Sequence, residues 1–506
     1  MIKRNITANI VGRAWGFISV YLFVPLYLHM LGAEAYGLVG FYSMLLGVLA
    51  FADMGFSATL NREMARLSAS ATAEQERRDL LRTYELSYLL ICCVLAISIC
   101  LAAPLIAERW LKASTLRSDD ITLAIRLMGV AIAFQLPSGL YIGGLMGLQQ
   151  QVRANALQIA WSAYRGFGTV LVLWFFSPTI LTFAIWQLVA NAIYCISVRH
   201  GLWHALRVDG VRAAGFFRWQ VFHGTWRYAS GMAGMALLSI LLTQVDKLTV
   251  SKLLSLDMLG FYTLAGSLAS VPLILASPIA SAIFPRFTEL VARNDREQLV
   301  ALYHRTCEFV SIAIVPGGLA VALFSHDVIY LWTGSATSAQ AASLAASLLL
   351  GGQLLQALTV VPYYLALAHG NIRLNLQIGI VSVVLVTPMM IYLVIHHGLA
   401  GAGLSWLIMN LCTMPPYMYF LHRNFLPGQL GRWFWRSLAL PVIASLPCLL
   451  LGYWCLSIVD NRWLRLLMIA VTAGLSIICS ALTAPEIRRW ITTRKLSGLK
   501  PSRSGS

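Results

Sequence analysis

Fourteen apolar stretches, most of them near twenty residues long and closed by glycine, proline or a cluster of charge, follow one another along this chain. They fall at about 8–31, 37–58, 84–106, 121–146, 155–176, 180–198, 228–254, 259–285, 305–325, 340–366, 373–395, 400–421, 436–457 and 463–484. A helix of about 20 apolar residues spans the ~30 Å hydrocarbon core of a bilayer. Within that core only helices and closed barrels satisfy every backbone donor and acceptor. The pattern therefore predicts an all-α integral membrane protein with fourteen transmembrane helices. Composition agrees: 58% of the 506 residues are hydrophobic and only 11% charged, against about 25% charged in a soluble domain. The loops are too short for a soluble catalytic domain, so an enzyme is not expected.

The formal charge of +17 would suggest nucleic acid in a soluble chain, but here it follows the spans. With the N-terminus on the cytoplasmic side, 27 of the 37 Lys and Arg residues fall in inner segments, six in outer ones and four inside spans. Such an imbalance across short loops is the positive-inside signal, and it predicts a membrane protein with both termini cytoplasmic. No nucleic-acid partner is implied. Lys3 and Arg4 ahead of an apolar run imitate a secretory signal, but Arg13 interrupts it and no small-residue cleavage site follows, so an uncleaved first span is expected.

No cofactor or metal is expected. The nine cysteines lie in or beside spans with no CxxC or Cys/His spacing, and no Walker A or GxGxxG run is present. His200 and His204 have i,i+4 spacing, but no neighbouring carboxylate or thiol completes a site. The longest loop, 199–227, mixes Trp203, Phe216, Phe217, Trp219, Phe222 and Trp226 with five arginines, a composition suited to an amphipathic segment on the cytoplasmic leaflet.

One internal repeat stands out. LGAEAYGLVGFYSML from Leu31 and LSLDMLGFYTLAGSL from Leu254 superpose at an offset of 223 residues, pairing Glu34 with Asp257, Gly37 with Gly260 and Leu45 with Leu268. The same offset separates the first and seventh spans. The simplest architecture is two six-helix lobes, 1–198 and 228–421, joined by the cytoplasmic linker 199–227 and followed by two extra C-terminal helices over 422–484 and a basic tail over 485–506.

The stretches AYGLVGFYSMLLGVLAFADMGFSATLNREMARL (Ala35 to Leu67) and QVDKLTVSKLLSLDMLGFYTLAGSLASVPLILASPIASAIFPRFTELVARND (Gln244 to Asp295) resemble the N-terminal and mid-chain signatures of the bacterial polysaccharide or O-antigen flippases. These belong to the multidrug/oligosaccharidyl-lipid/polysaccharide exporter superfamily. The resemblance implies a V-shaped pair of lobes around a central cavity, and a polyprenyl-diphosphate-linked oligosaccharide as cargo, moved from the inner to the outer leaflet. It also implies membrane lipids, a polysaccharide polymerase and other assembly proteins as partners. A multidrug antiporter or a lipid II flippase of the same superfamily, or a membrane glycan polymerase or ligase, are the competing readings.

An ionisable group inside a span costs about 2.5–3.5 kcal/mol on the insertion scale and is a functional candidate for that reason. Arg165 is the deepest, ten residues into its span, about 15 Å at 1.5 Å per residue. Trp161, one turn earlier, is placed to shield it. A guanidinium matches phosphate geometry and never loses its charge, so Arg165 is expected to meet the diphosphate or an acidic sugar. The alternative is a structural arginine satisfied by carbonyls between helices. Arg13, Arg126 and Lys247 are further substrate-binding candidates, although snorkelling also explains Arg13 and Arg126. Asp53, Asp246 and Arg62 are candidates for gating or ion coupling, with Asp53 able to pair with Arg62 or Arg13. Asp246 and Lys247 are adjacent and point about 100° apart on a helix, which sends them to different partners. The basic excess favours an anionic headgroup. Moving about two negative charges out of a negative cytoplasm gains roughly 4–5 kcal/mol at 100 mV.

Overall fold

Long segments almost free of charge leave the backbone to bond within itself, and the computed structural model of the chain is helical throughout its regular elements. It describes residues 2–68, 74–206, 215–220, 223, 240, 243–371, 373–459 and 461–484; the side chains of 2–11, 13–14 and 373–374 lie outside the described residues. In chain order the helices are α1 (Ile2–Leu49), α2 (Phe56–Ser68), α3 (Glu74–Leu105), α4 (Ser118–Gly147), α5 (Gln151–Phe175), α6 (Ile180–Ala205) and a helical stretch over 243–253 (α7). They continue with α8 (Leu256–Ala269), α9 (Val271–Ala292), α10 (Arg296–Leu323), α11 (Ser325–Thr333), α12 (Ala336–Leu358), α13 (Val360–Ala368), α14 (Arg373–Phe425), α15 (Leu430–Trp433), α16 (Leu440–Leu456) and α17 (Arg462–Thr483).

Among the described residues, ten helical segments are long and apolar enough to cross a membrane. Two of them, Trp15–Asp53 and Asn375–Phe425, are broken internally at Gly32 (φ 81°) and Gly398 (φ 56°), the left-handed region that a residue without a Cβ enters at no steric cost. The ten do not include α5, which carries Arg165 in its middle.

The hydropathy pattern carries the second span to residue 58, whereas the structure ends α1 at Leu49. A 3-10 turn over Ala50–Asp53, then Met54 and Gly55 with positive φ, redirect the chain into α2. The reason is amphipathicity. In α2, Phe56, Leu60, Met64 and Leu67 recur at helical spacing and are buried against α3 and α4, while Arg62 and Arg66 remain exposed.

The chain divides into two compact units, Met1–Thr263 and Leu264–Ser506. In the first, α4 packs on α2, α3 and α6, and α1 packs on α5. Leu90, Val94, Ile97 and Leu101 of α3 are exposed at i,i+3 and i,i+4 spacing, an apolar face suited to lipid. Residues 215–218 dock on the start of α3: Phe216 N donates to Asp79 Oδ1 (2.9 Å), Arg218 N donates to Thr83 Oγ1 (3.0 Å), and the Arg218 guanidinium pairs with Asp79 (2.5 Å). Phe216 and Trp219 are exposed beside that anchor.

The repeat-related segments cross each other inside this first unit. A Cβ on Gly37 would strike the Leu256 carbonyl, and one on Gly260 would strike the Ala33 carbonyl. Gly260 lies 223 residues after Gly37, and Leu256 lies 223 after Ala33. Each segment thus makes the contact that its counterpart makes in return, the reciprocity of a self-complementary interface. Small residues allow such close backbone approach where helices have no hydrophobic drive to associate. At the adjoining loop, Glu34 accepts from the Thr115 hydroxyl and the backbone N–H groups of Ser114 and Thr115, while Lys112 Nζ donates to the Leu253 carbonyl (2.8 Å).

In the second unit α10 packs on α9, α12 and α17, and α16 on α17. Its core includes Phe287, Tyr303, Cys307 and Trp433. Arg465 of α17 pairs with Asp327 of α11 (2.8 Å). The basic tail lies outside the described residues.

The repeat extends well beyond the hairpin that first reveals it. At the same offset of 223, Glu74-Gln75 matches Glu297-Gln298, and Arg82-Thr83-x-Glu85 matches Arg305-Thr306-x-Glu308. The helices correspond within a few residues as well: α3 with α10, α4 with α12 and α13 together, α5 with the part of α14 before Gly398, and α6 with the part after it. In both copies the threonine hydroxyl bonds back to a carbonyl four residues earlier, Thr83 to Asp79 (2.7 Å) and Thr306 to Leu302 (2.8 Å).

Candidate functional site

Arg165 stands on α5 of the first unit, half-buried, with its Cζ 4.7 Å from the centroid of the Trp161 ring. The i,i+4 spacing brings the two side chains to one face. Such a contact is worth about 0.5–1 kcal/mol when exposed and more when desolvated. The backbone carbonyl of Arg165 accepts from Thr169 Oγ1 (2.7 Å) and Trp186 Nε1 (3.2 Å), so two side chains fix the residue from behind. Among the described residues no carboxylate pairs with its guanidinium.

Trp161 is itself held. Its Nε1 donates to Asn191 Oδ1 on α6 (3.3 Å), and its ring stacks on Tyr194 with centroids 4.5 Å apart at 16°. Asn191 is wholly buried and donates through Nδ2 towards Tyr42 OH (2.9 Å), Gln135 Oε1 (3.1 Å) and the Ala131 carbonyl (3.2 Å). Tyr42 in turn donates to Gln135 Oε1 (3.2 Å). Four helices, α1, α4, α5 and α6, thus contribute to one polar network ending at a cation that has no anionic partner among the described residues.

The other candidates lie apart from this network. Arg126 is exposed on α4 and donates through Nε to the Cys100 carbonyl of α3 (3.4 Å). Lys247 Nζ donates to Gln244 Oε1 (3.3 Å). Asp246 accepts from Tyr262 OH at Oδ2 (2.7 Å), while its Oδ1 is buried with no partner among the described residues. Asp53 accepts at Oδ1 from Tyr88 OH (2.6 Å), from Ser57 N (3.3 Å) and from the Ser57 hydroxyl. Arg62 is exposed and its ion-pair partner is Glu63 at 3.9 Å, so it does not meet Asp53. The side chain of Arg13 lies outside the described residues.

Two groups escape a search confined to charges deep in spans. The first comprises the neutral amides and phenols: Gln135 and Asn191 each interrupt an otherwise apolar stretch, and that interruption is the signal by which a sequence search could find them. The second is the cluster around Glu85. This carboxylate accepts from Arg82 Nη1 (2.9 Å), Tyr141 OH (2.8 Å), Trp203 Nε1 (3.4 Å) and the Arg199 guanidinium. Its repeat counterpart Glu308 pairs with Arg436 (3.4 Å). The recurrence of R-T-x-E is its signature in the sequence.

The sequence profile of a family described as "Polysaccharide biosynthesis protein" matches residues 2–291, more than half of the chain. The chain belongs to this polysaccharide biosynthesis protein family. Similar proteins include the "Putative O-antigen transporter" of Shigella flexneri, 22% identical over 384 residues that cover 75% of this chain and 87% of the relative. Another is the lipopolysaccharide biosynthesis protein WzxC of Escherichia coli (strain K12), 23% identical over 364 residues, 71% of this chain and 70% of the relative. Among solved structures, the lipid II flippase MurJ in an inward closed conformation has a TM-score of 0.74 at 14% identity, covering 96% of this chain and 99% of that one. An inward-facing multidrug resistance MATE transporter of the MOP superfamily has a TM-score of 0.68 at 14% identity, covering 82% and 95%. This family member is therefore a multi-span helical membrane protein with the fold of those transporters, and its named relatives are transport and polysaccharide biosynthesis proteins.

Proposed function

We propose that this protein flips a polyprenyl-diphosphate-linked oligosaccharide from the inner to the outer leaflet of the bacterial cytoplasmic membrane, by alternating access, for cell-surface polysaccharide synthesis. The observation that carries the reading is Arg165: a guanidinium ten residues into an apolar stretch, seated on Trp161 and left without a carboxylate among the described residues. Withdrawing a cation from water costs free energy unless it is paired, and a diphosphate headgroup would supply an anion when cargo enters. The curated relatives point the same way, since one is named an O-antigen transporter and another a succinoglycan biosynthesis transport protein.

In this reading the chain has fourteen spans, arranged as two six-helix lobes with two further helices, and both termini are cytoplasmic. The helix boundaries that recur at an offset of 223 support the six-plus-six count, and the distribution of Lys and Arg supports the orientation. Arg13, Arg126 and Lys247 serve as secondary basic groups along the route. Asp53, Asp246 and Arg62 form the gating or ion-coupling set. The lipid tail stays in the bilayer, and an inside-negative potential drives the anionic headgroup outward.

Flipping of a fluorescent polyprenyl-diphosphate oligosaccharide in proteoliposomes tests the function. Wild-type protein should flip it faster with an inside-negative potential than without one, and equal rates would remove the electrogenic step. A cargo with the lipid II glycan carries the same diphosphate, so Arg165 serves either; comparing the two glycans in the same vesicles separates them. A multidrug antiporter would instead export organic cations, which a basic site repels.

A further inference from the structure

The Arg165 site has a positioning apparatus behind it, and the repeat identifies which residues belong to it. At the offset of 223, Arg165 corresponds to Pro388, Trp161 to Val384, Asn191 to Met414, Gln135 to Leu358 and Tyr42 to Ala265. Each of these five side chains has an apolar counterpart in the second half, whereas Tyr194, which stacks on Trp161, recurs as Tyr417. The helices themselves recur, so the fold does not need these side chains in order to form. Burying an amide costs free energy unless all its groups are bonded; Asn191 meets that cost with four partners and serves something other than packing.

The chemistry of the amide fixes what it does. Trp161 Nε1 can only donate, and the carbonyl of Ala131 can only accept. Asn191 therefore has one orientation available, Oδ1 toward the indole and Nδ2 toward Ala131, Gln135 and Tyr42. A flipped amide would set its NH2 against the indole N–H and its oxygen against a carbonyl. The indole is thus pinned along its edge by Asn191 and on its face by Tyr194, and the pinned ring is the surface on which the Arg165 guanidinium rests.

We infer that Asn191 is a positioning residue for anion recognition: through the Trp161 indole it holds the Arg165 guanidinium in the geometry that a lipid diphosphate requires. This rests on the reading of Arg165 as the diphosphate site. Gln135 and Tyr42 form the second tier, which fixes the amide. Preorganisation of this kind raises affinity by removing the ordering cost from the binding step, and a single hydrogen bond contributes about a three- to tenfold effect.

The test is binding of undecaprenyl diphosphate to purified full-length protein in detergent, measured by calorimetry with thermal melting in parallel. Arg165→Ala should weaken binding by about 10- to 100-fold, as loss of a charge-assisted contact does. Asn191→Leu should weaken it by about three- to tenfold, and Trp161→Phe, which keeps an aromatic ring but deletes the indole donor and narrows the face under the guanidinium, by at least a similar factor. In the Arg165→Ala background Asn191→Leu should cost no further affinity, whereas its effect on the melting temperature should be the same in both backgrounds. The proposal is overturned if Asn191→Leu leaves affinity unchanged while Arg165→Ala loses it, or if Asn191→Leu weakens binding equally with and without Arg165. Should Asn191→Leu not fold, wild-type affinity in Trp161→Phe overturns the proposal in its place. Wild-type affinity in Arg165→Ala would remove the underlying diphosphate reading, and the Asn191 role with it.

Discussion

The two sequence halves treat their polar residues in opposite ways. Near the start of α3 and of α10, both keep Glu-Gln followed by Arg-Thr-x-Glu, and both bury the last carboxylate against a cation: Glu85 with Arg82 and Arg199, Glu308 with Arg436. Deeper in the helices the first half has Tyr42, Gln135, Trp161, Arg165 and Asn191 where the second has only apolar side chains and a proline. Groups that the fold requires should recur whenever the fold recurs. The ion pair follows that rule, as scaffold does, while the network follows the opposite rule, as the proposed headgroup site requires.

The largest effect expected from this contrast is on transport. Arg165→Ala should abolish export of surface polysaccharide while the protein stays inserted and abundant, and Arg165→Lys, which keeps the charge but not the planar fork, should retain only part of it. Pro388→Ala, at the matching place in the second half, should leave undecaprenyl diphosphate affinity within about twofold, since no polar group is removed; a large loss there would break the comparison. Next come the reciprocal glycines. Gly37→Ala and Gly260→Ala each drive a Cβ into a carbonyl of the opposite segment, and both should lower folded yield, by several kcal/mol of instability if the helices cannot separate and about 1–3 if they shift. A loss confined to one of them would contradict the symmetric crossing.

A smaller effect is expected at the shared scaffold. Glu85→Gln strips the anion from two arginines and weakens hydrogen bonds from Tyr141 and Trp203, a cost of about 1.5–3 kcal/mol. Melting temperature should therefore fall more for Glu85→Gln than for Glu308→Gln, whose ion pair with Arg436 is longer at 3.4 Å. Neither change should alter which lipid is flipped. The smallest effect is expected from Arg126→Ala: this side chain is exposed and makes one long bond to a carbonyl, so affinity for the diphosphate should change by no more than about threefold.

Much of this is legible in the amino-acid sequence. Apolar length and the sidedness of Lys and Arg lead to an all-helical membrane chain, and depth within a span singles out Arg165 with Trp161 one turn away. The hairpin repeat at Leu31 and Leu254 points to the offset at which the helices recur. What stays hidden has physical causes. Asn191, Gln135 and Tyr42 carry no formal charge, so their importance appears only when helices distant in sequence bring them together. The turn at Asp53–Gly55 is hidden because Phe56 to Ala58 prolongs the apolar run across it, although these residues begin an amphipathic helix. Asp53 is expected to find an arginine, but Tyr88 and the α2 N-terminus are nearer and satisfy its carboxylate. A charge census sees opposite charges; it does not see a phenol one helix away.

On the function proposed above, Arg165 recognises the charge of the lipid headgroup. The most direct measurement compares undecaprenyl diphosphate with neutral undecaprenol on wild-type protein and on Arg165→Ala, at matched melting temperature. The wild type should prefer the diphosphate by about 10- to 100-fold, and Arg165→Ala should lose most of that preference without changing its affinity for undecaprenol. An undiminished preference in Arg165→Ala would contradict that reading.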